Sequence, residues 1–122
     1  MMNIEEEIQA KGLTAPRVTP ADIQGAIASE HYFTAADGCL GEGVAAGALP
    51  AGYVLQEPQS LRLLTFCVLV LRNGFTVTGE SACASPENFD AELGRKIARR
   101  NAEEKIWPLL GFRLRDQLCE VR

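Results

Sequence analysis

The C-terminal part of the chain carries a run of cations at helical spacing: Arg95, Lys96, Arg99 and Arg100. Guanidinium groups in such a row suit the bidentate recognition of phosphate. Like charges four residues apart repel each other unless something neutralises them, and Glu92 and Glu103 fall on the same side of the predicted helix. The run therefore predicts an anion site, a solvated helix face or a subunit interface, and the residues by themselves leave all three open.

Three consecutive side chains, His31, Tyr32 and Phe33, offer flat rings of the kind that stack on a nucleobase. Stacking of this kind contributes about 1–3 kcal/mol per base. The same rings could instead close the core over the sheet, but consecutive residues of a helix cannot all face inward. We therefore expect at least one of the three at a surface or an interface.

The cysteines and the histidine do not form a catalytic or metal-binding pattern. The four cysteines are widely scattered, no C-x-x-C pair is present, and the chain has one histidine. Zinc sites and thiol redox motifs need such residues at close, regular spacing. We therefore expect no catalytic residue, no metal and no cofactor, and we interpret the cysteines as reduced thiols.

Charge is distributed unevenly along a chain of net charge −4. Residues 1–94 hold four basic and twelve acidic side chains, whereas residues 95–122 hold eight basic and four acidic ones. This balance does not favour duplex nucleic acid as a partner, but it is compatible with a local anion site in the C-terminal part. The acidic start and the short apolar runs predict no secretion signal and no membrane span. We expect a soluble intracellular protein.

Two strand-like runs meet at Asn73-Gly74, and this arrangement predicts a β-hairpin with a two-residue type I′ turn. Such a turn would pair Arg72 with Phe75 and Val70 with Val77. Phe66, Val68, Val70, Phe75 and Val77 would then share an apolar face. A two-stranded ribbon does not bury two faces alone. We expect either that the C-terminal helices cover one face and a partner subunit the other, or that a third strand comes from residues 53–56. A homodimer or higher oligomer is preferred.

Helices are predicted on both sides of this hairpin. Capping and proline signals place the predicted helices at residues 3–11, from Pro20 to about 30–33, at 86–106 behind Ser85, and at 109–119 after an interruption at Gly111. The Gly- and Ala-rich stretch 34–58 predicts a flexible loop. The expected architecture is one α+β domain spanning residues 1–122. Its small antiparallel β-sheet is centred on one hairpin, with two N-terminal helices and one long and one short C-terminal helix.

The segments EHYFTAADG and LTFCVLVLRNGFTVTGESACASPENFDAELGRKIARRNAEEKIWPLLGF resemble the gene product 49 / gene 66 family of small tailed-phage and prophage proteins. The resemblance covers nearly the whole chain, and GESACASPENFD is its most recognisable part. Residues 39–52 look expanded relative to that family. The resemblance implies a phage accessory protein in the cytoplasm of an infected host bacterium and transfers no catalytic residue.

By analogy with other small phage proteins, the resemblance implies a counter-defence role. The preferred hypothesis is the binding and sequestration, without catalysis, of a host nucleotide immune signal of the cyclic nucleotide or cyclic ADP-ribose type. Arginines would hold phosphates, aromatic rings the base, and carboxylates or an amide the ribose hydroxyls. The ligand-binding residues expected are Tyr32, Phe33, Glu80, Asn88, Asp90, Arg95, Arg99 and Arg100. The alternative is a protein-binding inhibitor that uses the sheet edge or the acidic N-terminal helix.

Overall fold

The structure, a computed structural model, describes residues 2–55 and 59–120. Its elements are α1 (Ile4–Ala10), α2 (Pro20–Ala26), β1 (Ile27–Thr34), α3 (Ala35–Ala45), β2 (Leu64–Leu71), β3 (Thr76–Ala82), α4 (Ala91–Glu104) and α5 (Ile106–Glu120). The three strands form one antiparallel sheet in the order β1-β2-β3. The predicted α+β class, the hairpin-centred sheet and the helices on both sides of it are confirmed.

The hairpin between β2 and β3 forms where it was predicted, but its loop has three residues instead of two. The Leu71 carbonyl accepts a hydrogen bond from the Gly74 N–H at 2.9 Å, and the Leu71 N–H donates to the Phe75 carbonyl at 2.7 Å. Gly74 has a φ of +89°, whereas no non-glycine residue among those described has a positive φ. Asn73 is therefore not in a type I′ turn, and the loop has the features of a tight turn followed by a left-handed glycine.

This extra loop residue shifts the strand register by one and changes which side chains share a face. Val70 lies opposite Thr76 and Leu69 lies opposite Val77, so the predicted pairing of Val70 with Val77 is wrong. A shift of one residue moves a side chain to the other face of a sheet. Val77 therefore lies on the same face as Leu69, which the helices cover, and not on the face of Val70 as predicted.

The third strand is β1, and it comes from a segment that was predicted to be the end of a helix. Helix α2 starts at Pro20, as predicted, with a capping box between Thr19 and Asp22, but it ends at Ala26. The chain then pairs with β2 from Ile27 onward, with an irregularity between Ile27 and Ser29. The predicted third strand at 53–56 is wrong for residues 53–55, which form no strand, while residue 56 lies outside the described residues.

Part of the predicted loop 34–58 is helix α3. Its N-cap Thr34 accepts a hydrogen bond from the Asp37 N–H at 3.1 Å, and the Asp37 carboxylate accepts one from the Thr34 N–H at 3.1 Å. These reciprocal bonds satisfy two of the donors that a helix N-terminus leaves free. Residues 46–55 form turns and irregular backbone, and residues 56–58 of the predicted loop lie outside the described residues.

Helix α4 lies on the sheet through a row of small residues, Gly94, Ala98 and Ala102, all of them buried. A Cβ atom at Gly79 of β3 would come within 2.9 Å of three backbone atoms of this helix. Gly79 therefore supplies the sheet side of a close approach between β3 and the backbone of α4. Helix α4 begins at Ala91 behind the N-cap Asp90, so the predicted start at residue 86 behind Ser85 is wrong.

Helix α5 begins at Ile106 and continues through Gly111 without the predicted interruption, and it is as long as α4. Pro108 lies in its first turn, where a missing N–H costs no helical hydrogen bond. The core is built from Cys67, Leu69, Leu71 and Val77 of the sheet together with Ile23, Ala98, Ala102, Ile106 and Leu110 of the helices. Among the described residues, no helix combines the length and the apolar character needed to cross a membrane.

Candidate ligand-binding site

Strand β1 places Tyr32 and Phe33 on opposite faces of the sheet, because successive side chains of a strand alternate. Tyr32 lies on the face that α4 covers, where it packs against the core. Phe33 lies on the other face, where its ring stacks on Phe66 with centroids 5.4 Å apart. The predicted ligand-binding residues are therefore divided between the two faces.

The first group forms a ledge where β1 meets α4, and we call Tyr32, Arg95 and Arg99 the β1–α4 ledge. Arg95 is exposed, and Arg99, one helical turn further along the same flank of α4, is half-buried. Burial raises the pKa of the Tyr32 hydroxyl, and the nearby positive charge of Arg95 acts in the opposite direction. Arg99 forms an ion pair with Glu30, which lies two residues from Tyr32 on the same face of β1. The Tyr32 ring and the two guanidinium groups therefore belong to the same region of the structure.

Arg99 is held by carboxylates of its own chain. It forms an ion pair with Glu30 of β1, and its Nε donates to Glu103 Oε1 at 2.7 Å. A further nitrogen donates to Gln24 Oε1 of α2 at 2.9 Å. Arg99 therefore links α4 to α2 and β1, and an external anion has to compete with two carboxylates for its charge.

Directly opposite Tyr32 in the pairing of β1 with β2 lies Cys67, which is fully buried. Burial raises the pKa of the Cys67 thiol. A thiol in such surroundings stays protonated and is a poor nucleophile. The histidine of the chain, His31, lies on the opposite face of the sheet and hydrogen-bonds Ser29 at 3.0 Å.

The second group lies on the sheet face opposite α4, which we call the open sheet face. Its members are Ser29, His31 and Phe33 of β1, Phe66, Val68 and Val70 of β2, and Thr76, Thr78 and Glu80 of β3. Glu80 lies directly opposite Phe66, so its side chain shares a row with Phe66 and Phe33. Helix α3 reaches this face at Phe33, where a Cβ at Gly38 would lie 3.5 Å from the ring.

The remaining predicted residues lie near the start of α4 or on its outer side. Asn88 is exposed in a short 3-10 turn, and Asp90 caps α4 by accepting a hydrogen bond from the Leu93 N–H at 3.0 Å. Arg100 is exposed on the side of α4 that faces away from the sheet. The predicted set is thus not gathered into one cluster within a single chain.

Sequence reasoning missed Gln24, Glu30 and Cys67, which surround the ledge. Glu30 and Tyr32 would have been placed on one face if the period-2 alternation of IASEHYFT had been read as a strand. Gln24 lies 75 residues from Arg99 in sequence, and no local signal indicates their contact. Among the described residues, no three His, Cys, Asp or Glu side chains come together in a way that could hold a metal ion.

A sequence model of the phage protein (N4 Gp49/phage Sf6 gene 66) family matches residues 18–118. The match starts after α1 and includes every strand, the β1–α4 ledge and the open sheet face. Neither the curated proteins nor the solved structures give a match to the chain. Because the matched region spans most of its 122 residues, the resemblance seen in the sequence is confirmed, and the chain belongs to the phage protein (N4 Gp49/phage Sf6 gene 66) family.

Proposed function

We propose that this phage-family protein counters host defence by binding and sequestering a nucleotide immune signal, of the cyclic nucleotide or cyclic ADP-ribose type, in the host bacterial cytoplasm. The observation that carries the proposal is the β1–α4 ledge, where Arg99 pairs with Glu30 on the same face of β1 as Tyr32 and the charge of Arg95 acts on the Tyr32 hydroxyl. An aromatic face suits a base, and guanidinium groups suit phosphates.

The charges of the ledge indicate the order of these contacts. Arg95 is exposed and is the cation that a phosphate meets first. Arg99 is engaged by Glu30 and Glu103, so it contributes to binding only as one of these carboxylates is displaced. Glu30 and Glu103 also disfavour the binding of weakly charged ligands, because only a ligand with a strong negative charge displaces a carboxylate from Arg99.

The surroundings of the ledge favour binding without bond cleavage. Its cysteine, Cys67, is buried and protonated, and the only histidine of the chain is on the other side of the sheet. A nucleophile and its base have to lie within hydrogen-bond reach of each other. The ligand is therefore expected to leave the protein chemically unchanged.

Calorimetric titration and thermal unfolding with a panel of cyclic oligonucleotides and cyclic ADP-ribose isomers test the proposal. A binding ligand stabilises the folded protein by about 2.7 kcal/mol at a concentration one hundred times its dissociation constant. Arg95→Gln should weaken binding about tenfold, because a charge-assisted hydrogen bond is lost. The matched control is Lys96→Gln, one residue further, whose side chain pairs with Glu92 at 3.3 Å and should leave affinity unchanged.

A second variant tests the proposed competition at Arg99. Glu30→Gln removes one of the two competing carboxylates and should tighten nucleotide binding. Chromatography of the ligand released on heating should recover it intact. The proposal fails if no member of the panel stabilises the protein, if Arg95→Gln and Lys96→Gln behave alike, or if the ligand is turned over.

We also propose that the protein is a homodimer in which a second copy covers the open sheet face. Phe66, Val68 and Val70 of this face are half-buried, and helix α3 packs against the face at Phe33. A two-fold axis would set this apolar strip against itself. Light scattering should show a dimer for the wild type and a monomer for Val68→Lys, while Leu118→Lys, an exposed apolar position on α5, should remain dimeric.

The alternative function, a protein-binding inhibitor, draws support from α1. None of its residues is buried, and Glu6 and Glu7 are exposed. Strand β3 also lies at an edge of the sheet, where backbone groups can pair with another chain. In a phage challenge assay, this alternative expects deletion of residues 2–16 to abolish counter-defence activity and Arg95→Gln to retain it, whereas nucleotide sequestration expects the opposite.

A further inference from the structure

A groove of about 680 Å³ lies between α2, the hairpin loop and α5, and it shares no residue with the β1–α4 ledge. Its volume falls within the range of about 300–1,000 Å³ that is usual for small-molecule sites. None of the residues expected to bind ligand from the sequence lines it. The groove is therefore a second candidate site.

The walls of the groove are mostly apolar. Leu71, Leu110 and Leu114 contribute buried or half-buried surface, while Phe75 and Leu109 remain 56% and 36% exposed. Exposed apolar side chains that border a concave surface lose contact with water when a ligand covers them. The groove thus favours a ligand with a flat or compact apolar body.

The charge of the groove is opposite to that of the chain. Three arginines and one aspartate line it, although the chain has 12 basic and 16 acidic side chains. Arg17 is bound by Glu5 through two hydrogen bonds of 2.8 and 2.7 Å. The Nε of Arg72 donates to the Gly25 carbonyl at 2.5 Å, which orients its guanidinium, and Arg113 is exposed on α5.

From these observations we infer that the groove binds a small aromatic anion, with its ring system against Phe75 and Leu109 and its carboxylate or sulfonate beside Arg72 and Arg113. Charge complementarity selects the anion, because Arg72 and Arg113 outnumber the single lining aspartate, Asp22, even with Arg17 paired to Glu5. The apolar walls select a ring that is poorer in polar groups than a nucleobase. This site goes beyond the nucleotide binding proposed for the ledge.

The test is a fluorescence titration of the intact protein with 8-anilinonaphthalene-1-sulfonate, an aromatic sulfonate that emits strongly in apolar surroundings. We expect saturable binding of one dye molecule per chain. Arg113→Glu should weaken binding by about tenfold or more, because it replaces the exposed cation by an anion. The matched control is Arg115→Glu, which makes the same change at an exposed position of α5 outside the groove and should retain the wild-type affinity.

Circular dichroism of each variant establishes that it is folded before its affinity is compared. Binding should weaken as the salt concentration rises from about 0.05 to about 0.5 M, because the contacts to arginine are screened. Cyclic nucleotides that bind the ledge should not displace the dye. The inference is overturned if the wild type shows no saturable binding, if Arg113→Glu and Arg115→Glu weaken it equally, or if a nucleotide competes with the dye.

Discussion

Gly79→Ala is the substitution by which the contact between sheet and helix can be tested most directly. A Cβ at this position would meet the Ala98 carbonyl oxygen, the Asn101 carbonyl carbon and the Ala102 nitrogen, all at 2.9 Å or less. These atoms belong to the backbone of α4, so no side-chain rotation relieves the overlap. Helix α4 has to move away from β3 as a unit.

The loss of stability in Gly79→Ala follows from the weaker packing of α4 after it moves away from β3. Ala98 and Ala102 are completely buried against the sheet, and a gap of 0.5–1 Å forfeits about a quarter to a half of each dispersion contact. Overpacking of a core usually costs about 1–3 kcal/mol, and a backbone clash belongs at the upper end. We expect Gly79→Ala to lower the free energy of unfolding by about 3 kcal/mol, a large part of the 5–15 kcal/mol typical of a domain.

Urea unfolding followed by circular dichroism and by the fluorescence of Trp107 measures this change, and about 3 kcal/mol corresponds to a melting point lower by roughly 10 °C. The control is Gly111→Ala in α5, where an added Cβ meets nothing within 4 Å. Because alanine has a higher helix propensity than glycine, the free energy of unfolding of the control should rise by about 1 kcal/mol. A Gly79→Ala protein within about 0.5 kcal/mol of the wild type would show that α4 does not lie this close to β3.

Three further experiments test other contacts of the fold. Arg99→Gln should cost about 1–2 kcal/mol in urea unfolding because two partly exposed ion pairs are lost, whereas Arg100→Gln should change stability by less than about 0.5 kcal/mol. Asp90→Ala should lower the free energy of unfolding by about 1 kcal/mol, whereas Ser85→Ala should leave it almost unchanged, because only Asp90 caps α4. Equal losses of stability for the two variants would contradict the observed start of α4. The Arg17 hydrogen bonds lower the pKa of Glu5 to about 2, so stability from Glu5 is present above pH 4.5 and is lost as the pH falls toward 2. Relative to Glu5→Gln, the wild type should lose additional stability over that range, and parallel pH profiles would refute the pairing.

Several elements could be predicted because their signals are local. The Asn-Gly pair located the hairpin, and Thr19, Pro20 and Asp22 located the start of α2 through hydrogen bonds within three residues. Helix α3 carries the same capping pattern at Thr34 and Asp37, yet its glycines weaken the helical signal. Strand β1 was missed because the capping signal at Thr19 predicts a helix that continues into this segment, whereas its pairing with β2 keeps Ile27–Thr34 extended.

By itself, the sequence determined the family, the α+β class and the place where the chain reverses, since each depends on neighbouring residues or on motifs that span the chain. The tertiary structure decided which of Tyr32 and Phe33 lies beside the arginines, because the pairing of β1 assigns them to opposite faces. It also decided that Arg99 is held by Glu30 and Gln24, residues far from it in sequence. Contacts of this kind depend on how separate elements pack together, and a local pattern carries no record of that packing.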